Sequence, residues 1–112
     1  MKKEAKFWKP IQNKKIQCSL CHQSCNINNG QLGVCGVRKN ENGKLYTMIY
    51  GSSSSIAVDP IEKKPLYHFH PGSNALSLGT VGCNFKCLHC QNSDISRATP
   101  DFPYTQEITP EQ

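Results

Sequence analysis

Aliphatic core material is scarce in this chain. Leu, Ile, Val and Phe number 7, 8, 4 and 4, which is 23 of 112 residues, just above the fraction below which chains tend not to fold alone. A chain of this length buries only about two-thirds of its unfolded surface, so a core this thin calls for an additional staple. Long apolar runs are missing too. No stretch approaches the ~18 apolar residues of a transmembrane helix, and no membrane partner is expected. The first lysines lead into Lys9-Pro10-Ile11-Gln12-Asn13, too polar for the apolar region of a secretory signal. A cytoplasmic location is the expectation. A nucleophile triad, a phosphate loop and a paired-carboxylate site are all absent, so the corresponding hydrolytic and phosphate chemistries have no carrier.

Acid is scarce at one end only. The first 15 residues hold six lysines (2, 3, 6, 9, 14 and 15) against Glu4, and the other 97 hold seven bases and seven acids. The net +5 is therefore a basic arm on a neutral body. Such an arm can meet phosphate or an acidic partner, but a solvated lead-in is the plainer expectation. Trp8 and Phe7 with these lysines could make a small nucleic-acid arm; a cap packed on the domain is the simpler reading.

Cysteine is what the chain has in excess. Its seven cysteines are an odd number, so complete internal disulfide pairing would leave one over. In a reducing compartment, clustered cysteines more often hold metal or do chemistry. They fall into two groups: Cys18, Cys21, Cys25 and Cys35, spaced C-x2-C-x3-C-x9-C, and Cys83, Cys87 and Cys90, spaced C-x3-C-x2-C. The 47 residues between Cys35 and Cys83 hold none.

That intervening stretch reads as short strands. Val34–Lys39 and Lys44–Tyr50 flank Asn40-Glu41-Asn42-Gly43, and an Asn-Gly pair is a strong hairpin signal. Ile56-Ala57-Val58, Leu66–Phe69 and Ala75–Val81 are further strand candidates. Thr109-Pro110-Glu111-Gln112 has the chemistry of a helix start, with Thr as N-cap, Pro in the first turn and Gln three residues on. The expectation is an N-terminal part of something longer.

Three thiolates within eight residues can wrap one soft metal centre. A structural zinc wants four ligands, and His89, adjacent to Cys90, is poorly placed to bind the same ion. A four-iron cluster normally takes four cysteines; with three, one iron keeps an open position suited to substrate or cofactor chemistry. Three buried cysteines on a helix face are the alternative, but Gly82 and Asn84 disfavour a simple helix.

C-x3-C-x2-C just after a strand resembles the signature of radical S-adenosylmethionine enzymes. The likeness extends to Asp59-Pro60-Ile61-Glu62-Lys63-Lys64-Pro65-Leu66-Tyr67-His68-Phe69, Pro71-Gly72-Ser73, Gly79-Thr80-Val81-Gly82-Cys83-Asn84-Phe85, and Cys90-Gln91-Asn92 with Ile95-Ser96. Upstream, Cys18-Ser19-Leu20-Cys21, Cys25-Asn26-Ile27, Gly30, Gly33, Cys35-Gly36-Val37-Arg38 and Asn40 are similar to the same branch. This is the AmmeMemoRadiSam branch, often labelled as similar to pyruvate formate-lyase activating enzymes. The resemblance implies that Cys83, Cys87 and Cys90 hold three irons of a 4Fe–4S cluster. The fourth iron would be chelated by S-adenosyl-L-methionine, which is cleaved reductively to a 5′-deoxyadenosyl radical. His89 takes the place of a residue that is usually aromatic and lies near the adenine. An electron donor and a substrate of unknown identity, which could be a protein, complete the implied partners.

The first group offers four thiolates. These can close a tetrahedral zinc site or hold a second iron–sulfur cluster with no open iron, and ligand type alone does not decide between them. Gly30 and Gly33 let the nine-residue segment turn back, and Gly36 leaves room beside Cys35. One buried helix face through positions 18, 21 and 25 is the alternative. His68 and His70 would share a strand face, compatible with metal but more often packing or surface.

The expected fold is an α+β fragment. Residues 1–15 form the basic arm, 16–73 a β-rich four-cysteine metal module, and 74–112 the first strand and cluster loop of a truncated partial (β/α) barrel. Such a piece lacks the later strands of a closed barrel, so turnover is expected only from a full-length enzyme. The rival is a zinc-binding interaction module whose basic arm contacts RNA or an acidic partner.

Overall fold

The computed structural model describes residues 1–112. Its first half is built on two three-stranded antiparallel sheets. Strands β1 (Lys3–Glu4), β2 (Trp8–Pro10), β3 (Ile16–Cys18) and β4 (Asn26–Ile27) are followed by β5 (Arg38–Glu41) and β6 (Lys44–Thr47). One sheet has the order β2-β3-β4 and the other β1-β6-β5. Register places Ile16 opposite Ile27, and both are buried with Ala5, Cys18 and Leu45 in one cluster that Trp8 and Cys25 pack against. Full burial of each Ile or Leu contributes about 1.5–3 kcal/mol.

The hairpin between β5 and β6 is the one that Asn-Gly announces. Glu41 pairs with Lys44, leaving Asn42 (φ 55°) and Gly43 (φ 86°) as a two-residue loop. Both positive angles match the hairpin turn that follows the right-handed twist of the strands. The flanking strands are shorter than Val34–Lys39 and Lys44–Tyr50, because residues 34–37 turn and bend and residues 48–50 leave the ladder.

The lysine-rich arm is folded rather than a solvated lead-in. β1 pairs with β6 and β2 with β3, while the amino terminus donates to the Tyr50 carbonyl at 2.8 Å. Lys2 bonds to Glu41 at 2.5 Å, and the Lys3 ammonium sits 3.9 Å from the Tyr50 ring centre. Of the two aromatics expected as a cap, Trp8 packs on the core, its indole N–H donating to the Ala5 carbonyl at 2.9 Å, while Phe7 is exposed. The arm thus carries its charge on the outside of paired strands.

The second half is more open. β7 (Ser52–Ser53), β8 (Ser55–Pro60), a single 3-10 turn (Ile61–Lys63), β9 (Asn74–Gly79), the one-turn helix α1 (Ser93–Ser96) and β10 (Gln106–Glu107) follow in order. β8 and β9 form a six-residue antiparallel ribbon, and β7 pairs with β10. The boundary expected at residues 73 and 74 therefore falls inside a hairpin. Ile56 opposes Leu78 and Val58 opposes Leu76, and all four are exposed on one face. The radius of gyration is 16.4 Å, against roughly 13 Å for a compact chain of this length, and the extended ribbon is in keeping with it. The residues hold no barrel: β9 pairs only antiparallel.

Leu66–Phe69 is not a strand but a run of bends before the Pro71-Gly72 turn. The shared face expected for His68 and His70 is therefore lost, and both are exposed. Thr109–Gln112 keeps its capping chemistry without a helix. The Gln112 side-chain oxygen accepts from the Thr109 N–H at 2.9 Å.

Asp59 anchors the base of the ribbon. Its carboxylate accepts from Lys63 at 3.0 Å, Lys64 at 3.1 Å and Ser77 at 3.1 Å. The Lys63 bond first, then that of Lys64, pull its pKa down to about 2. A depressed folded-state pKa gives stability that is present above the unfolded value near 3.8 and is lost as pH falls through the folded value. The carboxyl carbon of Asp59 should titrate by NMR near pH 2. Asp59→Asn should remove the part of acid destabilisation that lies between about pH 4 and pH 2. An Asp59 midpoint at the unfolded value would contradict this.

Candidate metal centres

The four cysteines of the first group sit on two facing turns. β3 ends on Cys18 and β4 begins just after Cys25, and the Cys18 N–H donates to the Cys25 carbonyl at 2.9 Å. Cys21 lies in the loop between them, closed by the Ser24 N–H on the Cys21 carbonyl at 3.1 Å. Cys35 rides on a second turn, held by the Gly36 N–H on the Gly33 carbonyl at 2.9 Å. Gly36 has φ +75°, a backbone that side chains rarely adopt. All four cysteines border one cavity of about 410 Å³, and every cysteine in the chain is a free thiol.

Arg38 enters the same place from β5. It is 7% exposed, and its Nη1 lies 2.9 Å from Cys18 Sγ. Its Nη2 donates to the Lys6 carbonyl. The chain's ion pairs involve Lys2, Lys39, Lys63 and Lys64, so no carboxylate balances this guanidinium. Sequence reading named Arg38 only as part of a pattern and missed its burial. The signal was its position in the alternating face of a strand beside the Asn-Gly turn, where Asn40 is buried as well.

The second group lies on an irregular loop between β9 and α1. Cys83 and Cys90 are partly buried, Cys87 and His89 exposed, and Leu88 is 99% exposed. The Phe85 N–H points at Cys83 Sγ at 3.4 Å, and the Ser96 hydroxyl is 3.4 Å from Cys90 Sγ. That hydroxyl, then the Asn92 N–H and more weakly the Arg97 charge, lower the Cys90 pKa and favour its thiolate. Arg97 also donates to the Cys87 carbonyl at 2.8 Å, tying α1 to the loop. The helix-face alternative for this triplet fails, because residues 80–92 contain no helix. The same is true of positions 18, 21 and 25.

The two groups meet. Val81, Gly82, Cys83 and Asn84 border the cavity of the first group, and Gln23 donates to the Asn84 carbonyl at 2.9 Å. Gly82 has φ +89°, and a Cβ there would lie 2.9 Å from the Cys35 carbonyl and 2.5 Å from Val37 Cγ1. Only glycine allows this approach.

The residues suit metal in their chemistry. The triplet supplies three soft sulfur ligands, with the Phe85 N–H beside Cys83 and the Ser96 hydroxyl beside Cys90, a donor set compatible with an iron–sulfur cluster. No three Cys, His, Asp or Glu side chains converge on one point as they stand. His68, His70 and Glu62 stand apart from both groups; Glu62 accepts from the Gly72 N–H at 2.7 Å, which holds its carboxyl below the usual range.

Against known proteins, the chain is similar to a protein of Methanocaldococcus jannaschii described as uncharacterized. They are 49% identical over 111 residues, covering 98% of this chain and 33% of the relative. The chain thus spans about a third of that relative's length. No family model matches the chain, and no solved structure does. No helix is long and apolar enough to cross a membrane.

Proposed function

We propose that this chain carries the cluster-binding part of a cytoplasmic radical S-adenosylmethionine enzyme. Cys83, Cys87 and Cys90 would hold a 4Fe–4S cluster. The observation that carries the reading is a three-thiol loop, free of regular structure and half open to solvent, with hydrogen-bond donors beside Cys83 and Cys90. Three ligands leave one position for a small molecule. When bound, such a cluster supplies one electron for reductive cleavage of S-adenosylmethionine to a 5′-deoxyadenosyl radical.

The protein's own residues set the conditions for this. Ser96 and the Asn92 N–H stabilise the Cys90 thiolate. Arg97 fixes the backbone at Cys87, and the Gly82 N–H on the Ile95 carbonyl at 2.9 Å ties the start of the loop to α1. His89, exposed beside Cys90, is free to face an adenine. Electron donor and substrate are further partners of the complete enzyme.

The test is anaerobic purification followed by iron, sulfide and visible-absorption measurements. The protein should be brown and hold about four irons per chain bound through the triplet. A colourless protein holding only zinc would contradict the proposal and favour the interaction module with its basic face.

A further inference from the structure

We propose that Cys18, Cys21, Cys25 and Cys35 form a closed tetrathiolate zinc site with Arg38 as its outer counter-charge. This does not rest on the cluster reading. Cys18 and Cys25 stand one step beyond the Gln17–Asn26 pair, so they oppose each other on adjacent strands. Directly opposed side chains share a face with Cβ atoms about 5 Å apart. Tetrahedral Zn–S bonds of about 2.3 Å set neighbouring sulfurs roughly 3.8 Å apart, which such a pair can reach. A four-iron cube holds its cysteine sulfurs wider apart, so the ladder favours a single ion. The C-x2-C and C-x3-C spacings lie within the range of structural zinc sites.

The second turn supplies the remaining ligand. A Cβ added at Gly33 would lie 3.8 Å from Cys25 Sγ, so the Cys35 turn is held close to the first. Four thiolates around Zn2+ leave a net charge of −2. Arg38 is permanently charged, buried, without a carboxylate partner, and 2.9 Å from Cys18 Sγ. A lone buried guanidinium is unfavourable; beside an anionic metal site it is balanced. The Arg38–Lys6 bond then carries the site's charge balance into the arm, so metal, arm and sheet are held together.

The test uses the full chain carrying Cys83→Ala, Cys87→Ala and Cys90→Ala, which removes the other thiols and separates this claim from the cluster. It should retain one zinc per chain, with all four remaining thiols protected from a thiol reagent until a strong chelator is added. Cobalt loading should give the d–d bands of a tetrahedral tetrathiolate ion. Arg38→Met in the same background should weaken zinc binding by about 10–100-fold. Iron in place of zinc, or four thiols that react at once in folded protein, would overturn the proposal. Should the triple variant fold poorly, the unsubstituted protein must still show one zinc beside its iron; its absence counts equally against the site.

Discussion

Alanine at any one of Cys83, Cys87 or Cys90 is expected to abolish iron binding, taking the chain from about four irons to below ~0.5. Three thiolates are already the fewest that leave a cluster a single open iron, and two cannot retain it. Among the histidines, His89 is adjacent to Cys90 and so poorly placed to take its neighbour's position, and His22 is exposed. The loss would not be unfolding in disguise. Cys87 is exposed and the other two are partly exposed, and substitutions at such positions usually change stability by less than about 0.5 kcal/mol. Iron analysis beside circular dichroism separates the two effects. A single variant that keeps its iron would remove that cysteine from the ligand set.

The second large effect is expected at a residue with no thiol. Asn40 is fully buried on β5. Its amide nitrogen donates to the carbonyls of Lys14 and Ile27, each at 2.8 Å, and its oxygen accepts from the Gly43 N–H at 3.0 Å. One side chain therefore joins the arm, the strand beside Cys25 and the Asn-Gly turn. Asn40→Leu keeps the bulk but removes one buried and two part-buried hydrogen bonds along with the backbone groups' side-chain partner. Each unsatisfied buried group costs about 1–3 kcal/mol, so a loss of about 3 kcal/mol is expected even with partial relaxation. That is a large share of the roughly 5–15 kcal/mol available to a domain, and Tm should fall by about 10–20 °C. Urea denaturation showing a loss under ~1 kcal/mol would mean that water or backbone movement satisfies those groups.

These two sites differ in how far the sequence discloses them. The cysteine spacings are local, and spacing alone separates a group of four from a group of three. The Asn42-Gly43 hairpin and the reciprocal bond between Thr109 and Gln112 are local too, each set by the chemistry of a few neighbours. Asn40 is legible as a residue near a turn and as part of the upstream pattern, but its burial is not, because its partners lie 26 and 13 positions away. The same holds for Arg38, whose side chain meets Cys18 and Lys6 from 20 and 32 positions off. The arm misled for a related reason. Strands of two or three residues rich in lysine carry no periodicity, and their pairing partners are distant. At Leu66–Phe69 the apolar run suggested a strand, but Pro65 and the Pro71-Gly72 turn leave no room to pair, and the side chains stay exposed.

The thin aliphatic core follows from this arrangement. Ile16, Ile27 and Leu45 fill one small cluster, and the apolar residues of the ribbon do not join it. Thiols at the edge of that cluster, Cys18 and Cys25 among them, stand where an ordinary domain would place more aliphatic side chains. A metal bound there would contribute folding free energy directly.

Cys83, Cys87 and Cys90 are proposed to hold a cluster with one iron left open. Mild oxidation of anaerobic, cluster-loaded protein, followed by iron counting and electron paramagnetic resonance, tests it most directly. An iron without a protein ligand is the one released, so iron should fall from about four to about three per chain. A three-iron signal should appear, and ferrous iron with reductant should reverse the change. A cluster that resists oxidation with all its irons retained, or a protein that never binds iron, would contradict it.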